Sequence, residues 1–170
     1  KVGERVFWPG RQPVFTGEFD LLEIGDDVVF GSRSSLICTT VDSCEKIILC
    51  AGSNVSDNTV ILPGSILGKG AVLGSNSVCP EGRYLPESSV WFGSRGGEPV
   101  LLEKGNEEAN GPIQSSSINV DKLQMEGDES TIRPFGRAVY NGEADFFVFP
   151  ASLVVIYTIT VRVIIAFIAT

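Results

Sequence analysis

Apolar residues return at every sixth position along much of this chain. Cut from Leu49, it reads LCAGSN, VSDNTV, ILPGSI, LGKGAV, LGSNSV, CPEGRY, LPESSV and WFGS. Leu49, Val55, Ile61, Leu67, Leu73, Cys79, Leu85 and Trp91 hold the first place of each hexad. The fifth place is small at Ser53, Thr59, Ser65, Ala71, Ser77 and Ser89, and Arg83 breaks that rule. IGDDVV and FGSRSS carry the pattern upstream from Ile24 and Phe30, with Leu36 next, one residue out of phase with the later run. The break falls in ICTTVDSCEKII, residues 37–48. A period of six fits neither a helix nor the alternation of one long strand. It predicts stacked coils of short strands, with the first residue of each hexad turned inward and the small fifth residue at a corner. Gly or Asn at the second and fourth places (Gly25, Gly31, Gly68, Gly74; Asn58, Gly64, Gly70, Asn76) would accept positive φ at the corners. No coil buries its apolar side alone, so stacking has to supply the core. A β-sandwich with frequent turns is the alternative, and in-phase hexads in two runs weigh against it.

The repeat resembles that of the hexapeptide-repeat acyltransferase superfamily, over residues 19–94. FDLLEIGDDVVFG looks like the entry to its solenoid, and VWFGS like the exit from the last coil. KVGERVFWPG, DLLEIGDDVVFGSRS, ILPG and VWFGSRGGEPVLL are also similar to the soluble repeat units of nonribosomal-peptide-synthetase-like, adenylate-forming proteins related to poly-lysine synthetase. In those, such units alternate with groups of transmembrane helices. The resemblance implies an all-β fold, a left-handed parallel β-helix with three hexads to a coil. It would occupy residues 19–102, with 1–18 as an imperfect first coil or cap.

After Leu102 the pattern ends. Residues 103–145 are polar, rich in Gly, Ser and Asn, and hold most of the net −8. They are expected to form an acidic, partly disordered linker. Residues 146–170 are mostly apolar and carry no charge apart from Arg162. As a helix they would measure about 37 Å, enough to cross a bilayer core. A buried strand pair is the alternative, but the run carries no turn signal. The expectation is a C-terminal transmembrane helix and a membrane location. Arg133 and Arg137 precede the run and no basic residue follows it, which places the β-helix side in the cytoplasm. A chain that starts at Lys1 and stops in an apolar run reads as a piece of a longer one.

Charge and composition narrow the function. A pI near 4.5 with no basic cluster excludes nucleic acid as a partner. The chain contains no histidine, so an imidazole base and most zinc sites are excluded. Cys38, Cys44 and Cys50 are six apart and fall on successive faces, and there is no CxxC, so no metal site is expected. Asp26 and Asp27 are assigned to a solvent-facing turn.

In the resembled acyltransferases a His is the general base and coenzyme A lies along the coils. Here the break offers Thr40, Asp42 and Cys44 as catalytic candidates in its place. Lys69, outward by phase, and Arg95, just past the last coil, are the candidates for contact with a cofactor's phosphates. The cofactor implied is coenzyme A or a phosphopantetheine carrier thioester. The expected partners are sister β-helix units of the same or another chain, a carrier domain and the membrane. The expected function is an acyltransferase-like module of a larger membrane protein that lacks the usual base. It would position a carrier or dock domains, in the service of amide-bond formation on activated amino acids. A working coenzyme A-dependent acyltransferase with a non-His base, assembled as a trimer, is one alternative. A purely structural spacer is the other.

Overall fold

The computed structural model describes residues 1–9, 14–16, 18–103, 113–131, 157 and 159–162. It divides into two compact units, Lys1–Arg137 and Ala138–Thr170.

The first unit is built from short strands, numbered along the chain. The early ones are β1 (Val14–Thr16), β2 (Leu22–Ile24), β3 (Val29–Phe30), β4 (Ser35–Ile37) and β5 (Ile47–Leu49). Five of two residues each follow: β6 (Asn54–Val55), β7 (Val60–Ile61), β8 (Ile66–Leu67), β9 (Val72–Leu73) and β10 (Val78–Cys79). The last are β11 (Arg83–Leu85), β12 (Val90–Arg95), β13 (Glu98–Glu103) and β14 (Ile113–Gln114). From β1 to β12 the chain visits three sheets in rotation, each strand lying parallel to the one three places on. The β5 face holds β2, β5, β8 and β11, the β6 face holds β3, β6, β9 and β12, and the β7 face holds β1, β4, β7 and β10. Ahead of β2 and β3, Val2 bridges to Ile24 and Phe7 to Val29, which extends both sheets by one coil.

The hexad explains the packing. Leu49, Val55, Ile61, Leu67, Leu73, Cys79 and Leu85 are all wholly buried in one core cluster with Ile24, Phe30, Leu36 and Trp91. Burying a side chain of this size contributes about 1.5–3 kcal/mol. The fifth-place hydroxyls close the corners by donating to the carbonyl three residues back. Ser34 donates to Gly31, Thr59 to Ser56 and Ser65 to Leu62, at 3.2, 3.1 and 2.7 Å. In the hexads from Ile24 to Val90, positive φ falls at the fourth place, where even Arg33 and Ser88 adopt it, at 61° and 55°. The second-place glycines have another cause. A Cβ on Gly68 would stand 2.8 Å from the Glu87 amide of the next coil, so close stacking of backbones excludes a side chain.

The corners differ in length. Ile61 pairs with Cys79, 18 residues on, whereas Leu36 pairs with Ile61, 25 residues on. The excess of seven lies in the loop 38–46, at the corner leading from the β7 face to the β5 face. Seven is one hexad and one residue, which is the phase shift seen in the sequence. A shorter excess, around Phe19–Leu21, lies at the same corner one coil earlier. On the β7 face the parallel stack ends at β10, and Pro80 fits that end. Leu62 donates its amide to Cys79, and Pro80, in the same place one coil on, has no N–H to give. Antiparallel β13 and β14 then cover the ends of the β6 and β5 faces.

Residues 114–131, part of the expected linker, lie along the β5 face. Ile118, Leu123 and Met125 pack on the outward side chains Ile48, Cys50, Ile66 and Tyr84, which they bury. The other linker residues, 104–112 and 132–145, lie outside the described residues.

The expected fold class and location require correction. Among the described residues no helix is long and apolar enough to cross a membrane. Of the run 146–170, the described residues are Tyr157 and 159–162, which are helical. The membrane helix, the membrane location and its cytoplasmic orientation are therefore withdrawn. The length of an apolar run sets how far a helix could reach, and not that the chain adopts one. What stands is parallel and mixed β-sheet compatible with a β-helix-like form, in place of a left-handed β-helix followed by a membrane helix.

Candidate functional site

The residues singled out from the sequence lie at three places. Thr40, Asp42 and Cys44 belong to the inserted loop 38–46. Its base is an antiparallel bridge between Thr39 and Cys44, with Thr39 Oγ1 3.5 Å from Cys44 Sγ. The Thr40 amide donates to the Ser43 carbonyl (2.7 Å), and the Ser43 amide donates to Thr40 Oγ1 (3.2 Å). The Thr40 hydroxyl donates to Glu81 Oε1 at 3.0 Å. The Glu45 carboxylate lies against Gly64, and Lys46 pairs with Glu23 at 2.6 Å. The loop is thus laid along its corner across two further coils. Val41, Asp42 and Cys44 are exposed on it.

Lys69 stands at the corner between the β5 and β6 faces. Its Nζ lies 2.5 Å from Asp128 Oδ2, and the Lys69 ammonium holds the Asp128 carboxyl well below the usual carboxylate range. Two clefts meet at this lysine. One, of about 490 Å³, is lined by Gly52, Gly70, Glu87, Ser88 and Thr131, and the other, of about 480 Å³, by Lys1, Gln124 and Met125. Arg95 is exposed at the end of β12, opposite Glu98 in the terminal hairpin. Lys69 and Arg95 therefore occupy different corners, and the catalytic candidates a third place.

Five residues missed in the sequence, or placed wrongly, hold the far end of the strap 114–131. Asp27 is buried, against the expected solvent-facing turn. It accepts from Arg5 Nε and Nη2 at 2.7 and 3.0 Å and from Thr131 Oγ1 at 2.7 Å. Asp26 accepts from the amides of Gly127 and Glu4, which lower its pKa. The Asp128 amide in turn donates to Thr131 Oγ1 at 2.9 Å. Arg5 and Asp27 sit 22 residues apart and Asp27 and Thr131 104 apart, so only the stacking register brings them together. Glu81, the anchor of Thr40, was missed for the same reason.

The cysteines are free thiols. Cys38, Cys50 and Cys79 are buried and Cys44 is exposed. Burial pushes Cys50 and Cys79 up to about 12 and raises Cys38. Among the described residues no group of His, Cys, Asp or Glu could hold a metal ion. Arg83, the exception at the fifth place, is buried and pairs with Glu98 at 2.5 Å.

Set against protein-family models and against curated proteins, the sequence matches none.

Proposed function

We propose that this chain is an acyltransferase-like repeat module that docks and positions other domains without a catalytic base of its own. The observation that carries this reading is the use made of the inserted loop. The Thr40 hydroxyl is spent on Glu81 and Ser43, the Thr39 hydroxyl lies against Cys44, and Asp42 and Cys44 are exposed and line neither cleft. A general base has to reach the acceptor's proton within a site that holds the acceptor. The lack of histidine and the regular stack of coils support the same reading, since a solenoid offers extended, rigid surfaces.

The test is acyl transfer from acetyl coenzyme A to a panel of amines. Wild type and Asp42→Asn are both expected to stay at the uncatalysed rate. Turnover in the wild type that disappears in Asp42→Asn or Thr40→Ala would overturn the proposal and favour an enzyme with a non-His base.

The cleft at Lys69 favours a second reading, in which coenzyme A or a carrier's phosphopantetheine thioester is held for positioning. The ammonium would meet a phosphate in place of Asp128. Calorimetric titration with coenzyme A tests it: binding that is lost in Lys69→Ala supports this reading, and no heat in the wild type removes it.

A further inference from the structure

Every described departure from the 18-residue stack on the C-terminal side of β1 lies at one corner, and each brings an apolar side chain to the surface. Phe19, on the first excess, is 72% exposed, and Val41, at the tip of the second, is 100% exposed. The two excesses stand on successive coils and are joined by the Lys46–Glu23 pair and by Cys38 Sγ, 3.9 Å from the Leu21 carbonyl. The hydrogen bonds of Thr40 fix the loop that presents Val41. A fully exposed valine on a pinned loop is a surface built for contact rather than a fraying tip.

The neighbouring surface continues it. On the β7 face, the side chains alternating with buried Leu36, Ile61 and Cys79 are Ser35, Ile37, Val60, Leu62, Val78 and Pro80, all half-buried and apolar apart from Ser35. The β5 face, apolar in the same way, is covered by the strap 114–131. Glu18 and Asp20 flank Phe19 in the chain, Asp42 follows Val41, Glu45 lies on the same loop and Glu81 bonds to it through Thr40, and all five are exposed. Among the described residues of this corner the one ammonium, Lys46, is paired with Glu23.

We propose that this corner, with Phe19 and Val41 as anchors, is the docking site for a basic protein segment that carries apolar side chains. Charge decides the occupant. Carboxylates beside exposed apolar side chains attract a cationic partner and repel an acidic one. A second copy of this chain, at net −8, would bring like charge to like charge. The apolar anchors give the contact its strength, and the carboxylates its choice of partner. The proposal rests on the docking reading above for its purpose, but the acyl-transfer assay tests that reading and the following measurement tests the site.

The probe is a fluorescein-labelled amphipathic peptide of leucine and lysine, with a leucine–glutamate peptide of the same pattern as its counterpart, read by anisotropy on the full chain. The lysine peptide is expected to bind at about 50 mM salt and more weakly at about 300 mM. The glutamate peptide is expected not to bind. Phe19→Ser with Val41→Ser should weaken binding at least about tenfold. Val41→Ser alone, at a wholly exposed position, should weaken it severalfold with Tm unchanged. Glu126→Gln with Glu129→Gln, on the strap, should leave it within about twofold. Equal weakening by the strap pair and the corner pair would mean unspecific charge attraction and overturn the proposal. So would a corner pair without effect. A dimer in sedimentation that dissociates on Phe19→Ser with Val41→Ser would give the surface to a second copy instead.

Discussion

Arg83 stands where the stacked coils otherwise place Ser, Thr, Ala or Val. Its guanidinium is buried, its Nη2 pairs with Glu98, and its Nε has no partner. Removing one member of such a pair leaves a charge out of water with nothing to balance it. A fully buried pair costs about 3–5 kcal/mol to break in this way. Glu98 is half exposed, so Glu98→Ala is expected to cost about 2–3 kcal/mol in urea unfolding. Arg83→Ser removes the buried charge and restores the corner hydroxyl that Ser65 supplies one coil below, so its loss should be clearly smaller. Equal losses would show that Arg83 acts by filling space. The hexad identified Arg83 as the exception, but its burial was not legible, because Glu98 reaches it from beyond the last coil. Asp27 was misplaced for a similar reason: a carboxylate in a Gly-Asp-Asp corner looks solvated until Arg5 and Thr131 arrive from other parts of the chain.

At the level of elements, the strands and corners were readable from the six-residue period alone. The one-residue phase shift also located the inserted loop, since seven residues exceed a hexad by one. The strap 114–131 was not readable. It has little regular structure, and its composition is that of a linker. Only the apolar row Ile48, Cys50, Ile66 and Tyr84 beneath it calls for a cover. Its far end depends on carboxylates, and this gives a pH dependence. Asp128 is ionised below its usual range because of Lys69 and Ser130, and Asp26 because of the Gly127 and Glu4 amides. A folded-state pKa below the unfolded one stabilises fully above the ordinary carboxylate value of 3.8 and is lost as pH falls through the folded pKa. Asp128→Asn should therefore lower Tm at neutral pH, and the gap to wild type should close as pH drops below 3.8. A gap that stays constant with acidification would remove the Lys69–Asp128 pair from the strap's attachment.

Over the whole molecule, charge and apolar surface are unevenly shared. One outer face is covered by its own chain, one corner gathers two clefts around Lys69, and another gathers exposed apolar side chains beside carboxylates. The sequence showed that no imidazole could serve as a base, but not where the remaining candidates would point. That depends on which coil each corner meets, and contacts such as Thr40 to Glu81 cross 41 residues. The apolar run 146–170 misled because its length and hydropathy set how far a helix could reach, and not that the chain forms one of that length. Underlying all of this is one placement: hexad first places turn inward, the strap covers the β5 face, and the inserted loop turns outward. The cysteines report on each part, with Cys79 in the core, Cys50 beneath the strap, Cys38 at the loop's root and Cys44 on the loop. The most direct measurement is the rate of reaction of the native protein with Ellman's reagent, before and after addition of urea. One thiol, Cys44, should react fast in the native state and the other three only on unfolding. Fast reaction of Cys79 or Cys50 in the folded chain, or protection of Cys44, would contradict the placement.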